Sequence, residues 1–239
     1  MKTLFLDASA GAAGDMLMGA VYGLCADRPA FLDAMNALPL PGIAVRPEPL
    51  ENGVHMSVTF HGHGEESYCE RRHSHRKLAD VLDMLRAFPL PPAVLENACA
   101  VYQSLAEAEA KAHGEPVSEV HFHEVGMDDA IADIAGVSLL IDGLAPCKIV
   151  CTPIAVGSGT VRCAHGELPV PAPAAANLLE GLPTVPGPGT GELCTPTGAA
   201  LLRHFVHRFE KLTAPANAVY GYGRRRFESH KNAVGAWLA

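Results

Sequence analysis

Apolar residues recur with two different periods along this chain, and the changes of period mark its elements. Thr3 to Asp7 is a short apolar run of the kind that forms a buried strand, and after a loop of alanine and glycine an apolar helix follows from about Met16 to Cys25. Ile43 to Val45 and Val54 to Phe60 alternate as strands do, with Glu51-Asn52-Gly53 as the hairpin turn between them. Helical spacing then takes over. It places Leu78, Val81, Leu82 and Leu85 on one face within Lys77 to Phe88, and Val94, Ala98, Val101, Leu105 and Ala108 on one face within Ala93 to His113. Pro89, Pro91 and Pro92 separate these helices, and Gly114 with Pro116 ends the second. An extended Val120 to His123, a tight turn at Gly126 and a helix starting near Asp128 and running to Leu144 close this half.

Beyond Pro146 turn chemistry replaces helical periodicity. Val156 to Val161 reads as a strand interrupted by the glycines of Gly157-Ser158-Gly159. Leu168 to Ala174 is fixed in extended form by its prolines and runs into a helix from about Ala174 to Glu180. A threonine cap at Thr195 and Pro196 at the first helical position open another helix, expected to reach about Phe209. The pattern predicts a mixed α/β (α+β) fold: a mixed sheet with flanking helices and a loop-rich carboxy-terminal third. Residues 1–145 form a strand and helix part and residues 146–239 a Gly/Pro-rich part, packed together as one globular unit.

Composition narrows the function. With 239 residues, 49% hydrophobic and 18% charged, the chain can bury a sizeable core. A formal charge of -8, with basic residues scattered apart from Arg71-Arg72 and Arg224-Arg225-Arg226, argues against nucleic acid as a partner. Asp7 and Asp15 interrupt the amino-terminal apolar stretch before a signal or membrane span can form, so a soluble chain with no membrane partner is expected. The seven cysteines form no C-x-x-C pair, which fits a reducing cytoplasm better than a disulfide framework or a zinc knuckle. Val156 stands where a nucleophile elbow requires glycine, and neither a P-loop nor H-E-x-x-H occurs.

What remains is metal chemistry. His121, His123, Glu124, Asp128, Asp129 and Asp133 crowd into one short stretch. If Val120 to His123 is extended, His121 and His123 share a face, and in the helix that follows Asp129 and Asp133 stand one turn apart. Two imidazoles and two carboxylates suit Ni, Zn, Fe or Mn, whereas a helix-start role for the acids and solvated histidines is the plainer alternative. The loop His61 to His75 is a second candidate. It carries His61, His63, His73 and His75 as two H-x-H pairs, a tract that can gather Ni or Zn in an exchangeable way. Near the amino terminus Asp7 and Asp15 flank a small-residue loop in which Gly11 and Gly14 can bring main-chain N–H groups to an anion or serve only as turn formers. His165 beside Gly166 can reach a ligand, and the first turn beyond Thr195, with Thr197 and Gly198, suits phosphate or ordinary capping equally well.

Several ordered blocks together resemble one family, the nickel-insertion proteins that complete the nickel-pincer cofactor of lactate racemase. They are Leu4-Phe5-Leu6-Asp7 with Ala10-Gly11-Ala12-Ala13-Gly14-Asp15-Met16, then His121-Phe122-His123-Glu124-Val125-Gly126 with Asp129 and Asp133. Val156-Gly157-Ser158-Gly159-Thr160 with His165-Gly166 follows, then Pro169 to Ala174, and Gly191-Glu192-Leu193 with Thr195 to Ala200. The resemblance implies a nickel chelatase of the lyase class. Its substrate is a pyridinium-3,5-bisthiocarboxylic acid mononucleotide, in which nickel is placed between two thiocarboxylate sulfurs and the pyridinium ring, coupled to CTP hydrolysis with Mn or Mg. It implies Asp7, Asp15, His121, His123, Asp129, Asp133 and the loop histidines as nickel ligands, and His123 or His165 as the base. Gly11, Gly14, Gly157, Ser158, Gly159, Thr195, Thr197 and Gly198 become substrate-binding positions. The family has a longer chain with a further carboxy-terminal domain that binds nucleotide, so a separate polypeptide is expected to supply that part. Departures from the family pattern are Ala10 where serine is usual and the looser match from Gly221 to Ala233.

The residues leave other readings open. A nickel store or metallochaperone would use the histidine loop alone, and a metal-dependent phosphohydrolase would use Asp7, Asp15, His121, His123 and Asp133. Oligomeric state is open, with a homo-oligomer among the expectations.

Overall fold

The computed structural model describes residues 2–64, 76–163, 166–224 and 232–239, so His73, His75 and His165 lie outside the described residues. It is a mixed α/β structure. Strand β1 (Thr3–Asp7) leads through the small-residue loop to helix α1 (Gly14–Leu24), α2 (Arg28–Asn36) and the hairpin of β2 (Ile43–Leu50) and β3 (Gly53–Phe60). The two-residue strands β4 (His63–Gly64) and β5 (Arg76–Lys77) precede α3 (Leu78–Arg86) and α4 (Pro92–His113). After β6 (His121–Phe122) and a short 3-10 turn (Glu124–Gly126) comes α5 (Asp128–Leu144). The rest comprises β7 (Lys148–Cys151), β8 (Ile154–Val156), β9 (Thr160–Cys163), β10 (Gly166–Pro169), α6 (Pro173–Leu179), β11 (Thr184–Pro186), α7 (Pro196–Phe205), β12 (Arg208–Phe209), β13 (Val219–Tyr222) and β14 (Ala233–Leu238).

The main sheet runs in the order β12-β7-β1-β14-β13-β3-β2, with β4 added against β3. Strand β1 lies inside it, parallel to β7 and antiparallel to the central β14. Its apolar alternates Leu4 and Leu6 are buried, as expected for a strand covered on a face by helices. Strands from residues 1–145 and 146–239 share this sheet, because β7 pairs with β1 directly across that boundary.

Helix α1 lies on the sheet, and its glycine decides how closely. A Cβ at Gly19 would press against the Val54 carbonyl and Gly221, so only glycine lets the helix backbone reach β3 and β13. Helix α5 packs behind α1 and against α4. Its residues Ile131, Ala132, Ile134, Ala135, Gly136, Val137 and Leu140 are all buried, the signature of a helix surrounded by protein. Burying each such Ile or Leu is worth about 2 kcal/mol by area transfer.

Two expectations change. Helix α7 stops at Phe205 with Val206 extended, short of Phe209, because the chain joins the sheet edge: the His207 N–H donates to the Ile149 carbonyl and the Glu210 N–H to that of Cys151. The glycine-interrupted strand expected over Val156 to Val161 is found as β8 and β9 with the glycine loop between them. Strand β6 ends at Phe122, since the Gly126 N–H donates to the His123 carbonyl and the Met127 N–H to that of Glu124, coiling the chain into its 3-10 turn. His123 adopts φ -95° and ψ -98°, so strand alternation does not carry over from His121 to His123.

Candidate functional site

A cavity of about 630 Å³ opens where the first turns of α1, α5 and α7 meet. Two strand-to-helix junctions build it. At the first, Gly11 has φ +105°, and a Cβ there would be driven into the Leu193 carbonyl oxygen. That close approach lets the Ala12 N–H donate to the Leu193 carbonyl (2.9 Å) and the Thr195 N–H to the Ala12 carbonyl (2.9 Å). The loop before α1 is thereby laced to the segment before α7. Asp7 takes part in the turn itself: its Oδ1 accepts from the Ser9 N–H (3.0 Å) and from the Thr152 hydroxyl (3.4 Å). Asp15, in the first turn of α1, lines the cavity.

At the second junction Arg76 grips the turn before α5. Its guanidinium donates to the Gly126 carbonyl (2.8 Å) and pairs with Asp128 Oδ1 (2.6 Å), a carboxylate only 2% exposed. Tyr102, fully buried, donates its hydroxyl to the Val125 carbonyl (3.0 Å). With Asp128 held this way, Asp129 and Asp133 line the cavity from one face of α5. Gly14 makes room for them, because a Cβ there would collide with the Asp133 carboxylate.

Burial dominates the electrostatics. It raises the carboxyl of Asp129 to about 6 against the smaller pull of the Ala130 and Asp129 main-chain N–H groups, and Asp128 adds to the rise. Asp129 Oδ1 is buried with no hydrogen-bond partner among the described residues. Burial also raises the carboxyl of Asp15, opposed chiefly by His55, whose Nδ1 lies 3.8 Å from Asp15 Oδ2. The buried thiols of Cys151 and Cys194 are pushed up to about 12 by desolvation, so neither is a thiolate at neutral pH. The titratable donors that line the cavity are carboxylate oxygens and imidazole nitrogens.

The other sequence candidates fall into three groups. His123, Gly14, Thr195 and Thr197 line the same cavity. His121 is exposed on β6 opposite Lys77, and His61 and His63 are exposed beside the β2–β3 hairpin; these lie outside the cavity lining. Gly157 packs against the Gly191 carbonyl, Ser158 bridges to Gly191, and Gly159 accepts at its carbonyl from the Val170 N–H, so this loop holds the β8–β9 connection together. Gly198 sits against the Ala12 carbonyl and donates its N–H to Thr195 Oγ1 (3.2 Å). Among the described residues no three His, Cys, Asp or Glu side chains converge closely enough to close around a metal ion.

Sequence reasoning passed over Glu109 and His113, which reach the cavity from the end of α4 with Glu109 Oε2 3.7 Å from His113 Nε2. Burial raises the Glu109 carboxyl, and His113 opposes the shift. Their four-residue spacing on one helix face was the available signal. Arg162, Arg224 and Asn232 were also missed as cavity residues; they approach from segments distant in sequence.

This is a mixed α/β protein whose cavity is walled by carboxylates and imidazole and fringed by helix amino termini. Residues 4–239 match the family model described as nickel insertion protein, and the chain belongs to that family. It is 40% identical over 238 residues to the pyridinium-3,5-bisthiocarboxylic acid mononucleotide nickel insertion protein of a Nocardioides species, covering 98% of this chain and 59% of that one. To the protein of the same description from Geobacillus kaustophilus it is 35% identical over 229 residues, covering 93% of this chain and 56% of that one. The chain thus spans somewhat over half the length of these curated relatives. No solved structure matches it. No helix among the described residues is long and apolar enough to cross a membrane.

Proposed function

We propose that the cavity is where nickel is inserted into a pyridinium-3,5-bisthiocarboxylic acid mononucleotide, as the names of the relatives indicate for those proteins. The observation that carries the reading is the gathering of Asp15, His123, Asp129 and Asp133 around one cavity, from two junctions far apart in sequence. Nickel is the cargo of the reaction. Carboxylate and imidazole donors hold it more weakly than soft sulfur does, so the two thiocarboxylates of the substrate can draw it away. The nickel–carbon bond to the pyridinium ring forms as a ring proton leaves, and a base within reach lowers the cost of that step. We assign this role to His123, with His165 as the alternative. Asp7, His61, His63 and His121 would then deliver nickel or shape the site from outside the cavity lining, and His73 and His75 are proposed as further nickel donors.

We further infer lyase-type chelatase chemistry coupled to CTP hydrolysis with Mn or Mg, in which a carboxy-terminal polypeptide, fused to this one or separate from it, handles the nucleotide. The division into residues 1–145 and 146–239 is an organisational reading of one shared sheet. The test is reconstitution of the purified chain with nickel and the mononucleotide, with and without CTP and that polypeptide, following the product by mass spectrometry. Incorporation of nickel that requires this chain supports the reading. Nickel binding that disappears when residues 61–75 are deleted, with no incorporation under any condition, would leave a nickel store in its place.

A further inference from the structure

We propose that the first turn of α7 is a phosphate subsite, with Thr197 as the residue that recognises the phosphate of the mononucleotide. The inference rests on the reading that the cavity takes that substrate. Three helices of at least ten residues, α1, α5 and α7, begin at the cavity, and each offers the positive end of its dipole. Two of them have already spent it on acids. Helix α1 has Asp15 in its first turn, with Oδ1 accepting the Met16 N–H (2.8 Å), and α5 begins with Asp128 and Asp129. Only α7 has no acidic residue in its first turn.

Within that turn the donors divide cleanly. Thr195 is consumed by the cap, its Oγ1 accepting the Gly198 N–H and its carbonyl the Ala199 N–H (2.9 Å). Pro196 has no N–H to give. Thr197 remains. Its side chain is 8% exposed, it lines the cavity, and its hydroxyl has no hydrogen-bond partner among the described residues. The residue is nearly buried while its hydroxyl stays open to the cavity, where a ligand can complete it. Its main-chain N–H, in the first turn, has no carbonyl within the helix to donate to. A phosphate oxygen can accept from both groups at once, as anions do at helix amino termini.

Charge agrees with this placement. Arg162 and Arg224 line the same cavity and add positive charge that favours a phosphate, while Asp129 and Asp133 line it from α5, where the cationic ring and its nickel would sit. The turn is also well anchored. A Cβ on Gly198 would strike the Ala12 carbonyl, so α7 packs directly on the loop that leads to Asp15. Phosphate held at Thr197 thus sets the position of the ring relative to the metal-handling side chains.

The phosphate could also come from CTP, so the test has three ligands: the mononucleotide, its dephosphorylated nucleoside, and CTP with Mg. Each is titrated calorimetrically into the wild-type chain, Thr197→Val, Thr197→Ser and Thr197→Ala. The wild type is expected to prefer the mononucleotide over the nucleoside by about tenfold to a hundredfold, the worth of hydrogen bonds to a charged group. Thr197→Val and Thr197→Ala should each cut that preference by roughly tenfold, Thr197→Ser should keep it, and CTP affinity should not move. The alanine variant answers the question if valine prevents folding. Equal binding of mononucleotide and nucleoside by the wild type overturns the subsite, as does a preference that survives in both variants. A loss confined to CTP overturns the choice of ligand. If neither mononucleotide nor nucleoside binds, the underlying function itself fails, and the subsite with it.

Discussion

The two junctions that feed the cavity share a plan, a turn with one carboxylate beside it and at least one more on the helix that follows, yet the acids are used differently. At the first, Asp7 closes the turn and Asp15 reaches the cavity. At the second, Asp128 is neutralised by Arg76 while Asp129 and Asp133 reach the cavity. In both, the acid nearest the turn builds the backbone and the acids on the helix face line the cavity. Asp128 and Asp129 are neighbours in sequence, and only their environments separate them: one has a guanidinium at ion-pair distance, the other a carboxyl that burial raises to about 6.

The largest expected effect comes from removing that guanidinium. Arg76→Met strands Asp128 as a buried charge and releases the Gly126 carbonyl, and should lower stability by about 3 kcal/mol, read from denaturant unfolding. Adding Asp128→Asn should recover a large part of the loss, because the stranded charge goes with it. If the single variant is as stable as wild type, the assignment of Asp128 to structure is wrong. Next are the acids assigned to the cargo. Asp129→Asn and Asp133→Asn should each slow nickel incorporation by about a hundredfold, roughly 3 kcal/mol of lost charged-ligand stabilisation, without unfolding the chain. Gly11→Ala follows at about 2 kcal/mol of stability, from its positive φ and the encroached Leu193 carbonyl.

Much of this arrangement is legible in the order of the residues alone. The alternation of β2 and β3, the helical faces of α3 and α4 and the crowding of His and Asp before α5 are local patterns, and local patterns survive folding. Other features are not local. The chain at Val206 leaves its helix because a sheet edge offers Ile149 and Cys151 as partners, a tertiary effect that outweighs helical periodicity. The shared face expected of His121 and His123 is lost to the 3-10 turn at Glu124. Helix α2 went unpredicted although Asp27 caps it by accepting the Ala30 N–H (3.0 Å). The contributions of Arg162, Arg224 and Asn232 to the cavity depend on topology alone, so no spacing announces them.

The contrast between Asp128 and Asp129 sharpens further with pH. The Asp129 carboxyl rises from 3.8 to about 6 on folding, so between those values the folded chain holds a proton that the unfolded chain releases. This group therefore favours the folded state fully below about pH 4 and loses that contribution as pH rises through about 6. Asp129→Asn removes the dependence. Thermal melts in the absence of nickel should show the variant matching wild type near pH 4 and exceeding it near pH 7.5, a gain in stability at the expense of function. A wild-type advantage at the higher pH would mean that the ionised carboxylate has a partner and that the cavity does not hold it in reserve.

The smallest effect tests the first junction. Asp7 is an acceptor for the Ser9 N–H and the Thr152 hydroxyl, and an amide oxygen can accept as well as a carboxylate oxygen. Asp7→Asn should therefore change stability by less than about 0.5 kcal/mol, whereas Asp7→Ala, which leaves the turn without its acceptor, should cost about 1 kcal/mol. A metal ligand would behave in the opposite way, because loss of its charge matters whether or not an oxygen remains. Nickel incorporation by Asp7→Asn is the measurement that separates the roles: a rate within about threefold of wild type keeps Asp7 in the turn, and a hundredfold loss with stability intact moves it into the chemistry and ends the parallel between the two junctions.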